Sequence, residues 1–353
     1  MTGTPWYATR EQAMNALDFT ESARTRIRVD RALASATDIV RGQLKRDFWP
    51  VQATRYWPWP VPGRISTWRL WLDQHELISV DTLVSGGITI ATGDYLLEPA
   101  NDGPPYDRIE INLGSDASFE SGPLTDQRAI AATGLFGYTD DSASAGTIAE
   151  ALDDTETGVD VSDSASVGVG DLIRVDNERM VVTGKQLLDT GQTVATGGID
   201  NQRGTTALPV SSGAAFTVDE QIVIDSERMR IADIAGNTLI VERAVNGSVI
   251  AAHIATTAVY AYRTLTVTRG VLGTDPAAHN NGSAITRWVP PALVTSYCLA
   301  EALNIIEQDP TGWARMAGSG DHQRVMSGAT IDRLAKLAKA QHGRAGQMRM
   351  RAV

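Results

Sequence analysis

At 353 residues the chain is long enough for two or three domains, and its single cysteine, Cys298, excludes an intramolecular disulfide framework and a cysteine-built zinc site. No run of about eighteen apolar residues occurs, and MTGTPWYATREQ lacks the basic start and apolar stretch of a signal peptide, so synthesis in the cytoplasm without a membrane partner is expected. The net charge of −11 is uneven: residues 1–139 carry 13 basic and 17 acidic side chains, 140–288 carry 10 and 20, and 289–353 carry 8 and 5, so the body is unsuited to gripping phosphates while the last piece is net positive.

In chain order, Thr9 followed by Gln12 forms a capping-box pattern and predicts a short helix with Ala13, Ala16 and Leu17 as its apolar stripe. A longer helix follows, with Ile27, Ala32, Leu33, Ala36, Val40 and Leu44 near a 3.6-residue period, until FWP at Phe48 stops it. From Val51 the texture changes to RYWPWPVPG and then to strand-like runs, WRLWL, LISVDTLV, ITIATGDYLL and RIEINL, divided by Gly, Pro and Asp turn signals. Trp57, Trp59, Trp68 and Trp71 suit either a stacking platform for bases or sugars or packing against a neighbouring surface, and their proline company favours packing. A further strand, RAIAATGLFGY, ends at Tyr138.

Residues 139–165, rich in Asp, Ser, Thr, Gly and Ala, read as a linker or mobile loop and mark a boundary. Beyond it the chain repeats itself. VDVSDSASVGVGDLIRVDNERMVV, from Val159, lies without gaps over LPVSSGAAFTVDEQIVIDSERMRI, from Leu208, and the match is strongest at D-x-E-R-M. A second echo aligns LIVERAVNGSVIAAHIATTAV, from Leu239, with LTVTRGVLGTDPAAHNNGSAI, from Leu265, keeping Val-x-Arg, Gly247/Gly273 and Ala-Ala-His; QRGTTA near Arg203 resembles a worn third version. Short reiterated β units predict a small domain of duplicated modules.

At Val289 helical texture returns. VPPALVTSYCLAEALNIIEQ carries apolar residues on more than one face, which predicts burial at a domain centre or between subunits. ATIDRLAKLAKAQHG then gives a short cationic amphipathic helix ending at Gly343, followed by a basic tail. Arg333, Lys336 and Lys339 share one face beside Ile331, Leu334 and Leu337, and Arg344, Arg349 and Arg351 continue the positive charge.

Asp176, Glu178 and Arg179, and their counterparts Asp225, Glu227 and Arg228, admit general acid–base work or cation binding. Each trio, however, sits in a polar bend between apolar residues, and Asp followed by Asn or Ser suits a hairpin turn carrying an exposed ion pair. One active site needs no second copy. The glycines at 168 and 170 lead into a strand and lack a dinucleotide fingerprint. His253 and His279 occupy equivalent repeat positions, suiting a turn or packing role, while His75, His322 and His342 are isolated, so neither a zinc site nor any cofactor is expected.

The order of two helices ending in RDFWP, the run SVDTLVSGGITIATGDYLLEP, the strand ending TGLFGY and a helix opened by VPPALV resembles the head-to-tail connector, or adaptor, proteins of long-tailed phages, over roughly residues 6–139 and 288–342. ATREQAMNAL and ARTRIRVDRALASATDIV are among its most specific pieces. The resemblance implies a non-enzymatic virion protein at the phage neck: a homo-oligomeric ring of about twelve copies beneath the portal, extending the DNA channel and receiving the next neck (stopper) ring or a tail terminator. In simpler members the junction from TGLFGY to VPP is short, so residues 140–288 look like an insertion whose role the family does not carry.

The expected fold class is α+β, with 1–139 as connector core, 140–288 as an inserted all-β repeat domain and 289–353 as C-terminal helices and tail. Portal binding is expected at Arg333, Lys336, Lys339, Arg344, Arg349 and Arg351, with genomic DNA passing the lumen without specific binding. Two alternatives stand beside it: a host-surface glycan-binding protein of the tail or capsid, and a hydrolase using Asp176/Glu178 or Asp225/Glu227.

Overall fold

The computed structural model describes residues 3–17, 22–59, 67–122, 125–308, 316–317, 324–325 and 328–344. The fold is mixed α+β, and the chain divides into two compact units: residues 1–44, 142–271 and 275–353 in one, residues 45–141 with 272–274 in the other.

The first unit opens with α1 (Arg10–Leu17). The capping box closes as the sequence predicts: the Thr9 amide donates to Gln12 Oε1 at 2.9 Å and the Gln12 amide to Thr9 Oγ1 at 3.2 Å. In α2 (Ala23–Leu44), Ala32, Leu33, Ala36, Val40 and Leu44 are buried. Ile27 departs from the predicted stripe and is 70% exposed. The Ser22 hydroxyl accepts the Thr25 amide and caps this helix.

The second unit is a pair of antiparallel sheets. One has the order β1 (Val51–Trp57), β7 (Ile130–Phe136), β3 (Leu77–Ser85), β4 (Ile88–Ile90); the other runs β2 (Arg69–Trp71), β6 (Arg108–Ile111), β5 (Tyr95–Glu98). The alternation read from LISVDTLV and RIEINL places Leu77, Leu83, Ile109 and Ile111 in one core with Trp57, Ile130 and Phe136. Gly134 is required where β7 meets the bulges of β3, since a Cβ there would lie 2.2 Å from the Ser79 carbonyl oxygen.

Back in the first unit, the repeat segment forms one ten-stranded antiparallel sheet: β8 (Ser142–Thr147), β9 (Gly158–Asp160), β10 (Leu172–Val175), β11 (Glu178–Thr193), β12 (Ala207–Pro209), β13 (Gln221–Ile224), β14 (Glu227–Ala235), β15 (Thr238–Glu242), β16 (Ala258–Thr268) and β17 (Ala284–Trp288). Its pairings explain the two echoes. β12, β15, β14 and β13 lie side by side, and β9, β16, β11 and β10 repeat that arrangement, Val159 pairing Leu265 where Leu208 pairs Leu239. In the inner copy, hereafter module B, β14 and β15 are joined by the turn Gly236–Asn237. In the outer copy, module A, the equivalent strands β11 and β16 run on as a long bulged ladder, and module B occupies the place of that turn. One copy is thus nested inside the other. QRGTTA is part of module B, where the Thr205 carbonyl receives an arginine, and not a third repeat.

Residues 139–165 are not the linker their composition predicts. β8 pairs with β17, and bridges join Ile148 to Val161 and Leu152 to His279. The segment is polar because β8 is a largely exposed edge strand and because its loop is held by backbone carbonyls rather than apolar side chains.

The unit closes with α3 (Ala292–Gln308) and α4 (Gly328–His342), packed with α2. Val294, Tyr297, Cys298, Ala302 and Ile306 of α3 are buried, while Leu299, Leu303 and Ile305 remain half-covered in the single chain.

Candidate functional site

The D-x-E signature and the Val-x-Arg and Ala-Ala-His echoes converge on one construction, made twice. In module A the β10–β11 hairpin turns on Asp176 and Asn177, with Asp176 at φ +50°, and in module B the β13–β14 hairpin turns on Asp225 and Ser226, with Asp225 at φ +53°. These are the two-residue turns the sequence predicts, and Asp tolerates the left-handed backbone they need.

The ion pair is where the sequence reading fails. Glu178 does not form an exposed pair within the turn: its side chain is wholly buried, and it accepts Arg269 Nε at 2.7 Å and Nη2 at 2.6 Å. The Gly270 and Ala277 amides add donors at 3.0 Å each, and His279 Nε2 lies 2.9 Å away. Arg269 in turn donates to the carbonyls of Asp153, Glu156 and Ala277. Module B repeats the set. Glu227 takes Arg243 Nε and Nη2 at 2.7 and 2.8 Å, the Ala244 and Ala251 amides, and His253 Nε2 at 3.0 Å. Arg243 reaches the carbonyls of Asp200, Thr205 and Ala251.

Both histidines are buried, and each Nδ1 lies 2.8 Å from the exposed turn aspartate, Asp176 or Asp225. A ring with hydrogen on both nitrogens satisfies both carboxylates. Burial alone would raise the Glu178 and Glu227 carboxyls, but the arginine, histidine and amide donors outweigh it and hold both below the usual glutamate range.

A carboxylate offers about four lone-pair positions, and five donors surround each of these glutamates. Neither has one free to take a proton from a substrate, so the chemistry of the pair is cross-linking: each clamp fastens a hairpin to two loops distant in sequence. Arg243 and Arg269 are the members that reading local spacing missed. Their retention beside Ala-Ala-His in both copies was the available signal. Among the described residues no group of three His, Cys, Asp or Glu side chains is arranged to hold a metal.

The tryptophans take up packing and local bonding. Trp57 is buried in the core of the second unit, and Trp59 Nε1 donates to the Phe119 carbonyl at 2.7 Å. Arg69 lies over Trp68 and Trp71, and Arg108 over Trp71, so guanidinium groups occupy ring faces that a sugar or base would need.

On α4, Arg333, Lys336 and Lys339 are exposed together with Leu337, while Ala338 and His342 are buried. The Arg344 amide donates to the Leu44 carbonyl and ties the helix end to α2. Arg349 and Arg351 lie outside the described residues. Among the described residues no helix is long and apolar enough to cross a membrane. Compared with known protein families, with characterised proteins and with solved structures, the chain gives no match.

Proposed function

We propose that this protein is a phage head-to-tail connector, a closed ring at the virion neck that binds the portal, prolongs the DNA channel and receives the next neck ring or tail. The observation that carries the reading is α4, which turns Arg333, Lys336 and Lys339 to solvent from a helix anchored by Ala338 and His342. A cationic face on an otherwise acidic chain suits an acidic groove on a larger partner, with charge steering the approach. The half-covered Leu299, Leu303 and Ile305 of α3 supply apolar surface that a neighbouring copy in a ring would cover. An acidic body repels phosphates, which lets DNA pass without sticking.

Reversing Arg333, Lys336 and Lys339 to glutamate tests this. All three are exposed, so the variant should keep the parent's circular dichroism and melting behaviour while DNA-filled heads accumulate without tails. A variant that joins heads to tails at the parent's rate overturns the docking role. Electron microscopy of the particle neck that finds no ring of this chain overturns the connector reading itself.

A further inference from the structure

Within the unit of helices and nested modules, a cavity of about 440 Å³ opens between α1 and the β sheet. Its lining carries both signs: Glu11, Asp171 and Asp219 face Arg10, Lys185 and Arg287. Asp171 is the buried member, with its side chain 8% exposed. One of its oxygens accepts the Gly168 amide at 2.7 Å, whereas the other lies 3.8 Å from Arg287 Nη1, too far for a hydrogen bond.

The second module supplies an internal control. Glu220 is the counterpart of Asp171, 49 positions on, and the two share a backbone frame: Asp171 N to the Gly168 carbonyl and Val182 N to the Asp171 carbonyl, Glu220 N to the Thr217 carbonyl and Ile231 N to the Glu220 carbonyl. In module B the carboxylate is closed off by Arg263, at 2.6 and 2.7 Å, with Ser164 Oγ at 3.4 Å. In module A the side chain is one methylene shorter, no arginine grips it, and it lines the cavity. Neighbouring cations do not fill the gap. Lys185 donates to the Ser164 carbonyl, and Arg10 is held by Asp30 at 2.6 and 2.5 Å.

A buried carboxylate oxygen without a donor is costly, so the site favours a ligand that brings one. Ions are opposed from either side, anions by Asp171 and Glu11, cations by Arg287 and Lys185. A hydroxyl group both donates and accepts, and the cavity has the size of a small-molecule site. We infer that this cavity is a saccharide site, in which a neutral sugar hydroxyl donates to Asp171 and accepts from Arg287. The elevation of the Asp171 carboxyl to about 6, caused by burial that Arg287 only partly offsets, agrees with an oxygen short of donors.

The test titrates the full chain with galactose, mannose, N-acetylglucosamine, arabinose, rhamnose and trehalose at millimolar concentrations, following the Gly168 and Asp171 amides by NMR. Glucosamine, N-acetylneuraminate and inorganic phosphate serve as charged probes. At least one neutral sugar should give saturable shifts there, weakened about tenfold or more by Asp171→Asn and by Arg287→Lys. Glu242→Gln, in an exposed pair away from the cavity, should leave binding unchanged. The inference is overturned if no neutral sugar binds saturably, if only the charged probes do, or if sugar binding survives intact in both cavity variants.

Discussion

Replacing Glu178 by glutamine keeps the shape of the side chain and removes its charge. In either orientation the amide nitrogen points hydrogens at donors: at Arg269 Nε and the Gly270 amide, or at Arg269 Nη2, the Ala277 amide and His279 Nε2. Arg269, whose side chain is 5% exposed, is left buried without its counter-ion. Removing one partner of a buried pair costs about 3–5 kcal/mol, against about 0–1 kcal/mol for an exposed pair. Arg230–Glu242, at 40% and 54% exposure on the same sheet, provides the exposed comparison. Urea unfolding of Glu178→Gln and Glu242→Gln should therefore separate by about 3 kcal/mol. Hydrogen exchange should place the loss at the amides of Gly270 and Ala277. If the two variants unfold within about 1 kcal/mol of each other, the clamp is not a principal source of stability.

Asp171→Asn should stabilise the protein in a pH-dependent way. The folded carboxyl titrates near 6 against an unfolded value of 3.8, so the folded state binds the extra proton and stability falls as pH rises through that window, by about 3 kcal/mol at neutrality. The variant's advantage over the parent should thus be larger at pH 7.5 than at pH 4, and a difference that does not change with pH refutes this. Cys298 is buried, and burial pushes its thiol up to about 12 despite the Thr37 hydroxyl nearby. Native protein should resist iodoacetamide until α3 opens, and labelling as fast as in urea would contradict the packing of that helix.

Much of this architecture was legible in the chain. Periodicity located α2 and α3, turn chemistry located the hairpins, and Thr9 with Gln12 located the start of α1, because each signal lies within a few residues. The clamp was only half legible. Asp176 and Glu178 stand together in the sequence, but Arg269 comes 91 residues after Glu178, and a charged residue beside a turn looks solvated unless its distant partner is known. Residues 139–165 misled for a related reason: their backbone is secured by Arg269 and by pairing with β17, neither of which leaves a mark on local composition. Nesting was written in the echoes all the same. The D-x-E copy in module A precedes that in module B, while the Arg-to-His copies come in the reverse order.

That order fixes which module can close first. Module B's clamp joins Glu227 to Arg243 over 16 residues, whereas module A's joins Glu178 to Arg269 over 91, and the longer loop costs about 1.5 kcal/mol more to close. Emerging from the ribosome, the chain completes every element of module B's clamp before Arg269 exists. The inner module is also self-contained: its core, from Val194, Ile199 and Leu208 through Ile222, Met229 and Ile231 to Val259 and Ala261, draws on no residue outside 194–261. Its second buried pair, Glu220 with Arg263, closes two residues further on. A fragment spanning residues 190–263 should therefore fold alone, with dispersed amide resonances and cooperative thermal unfolding, and Glu227→Gln should abolish that cooperativity. The complementary chain lacking this segment retains both ends of module A's clamp but loses the hairpin that joins β11 to β16, so it needs a short Gly-Asn turn in its place. A 190–263 fragment that stays unfolded would show that the inner module depends on the outer one, and the nesting would then describe sequence descent without independent folding.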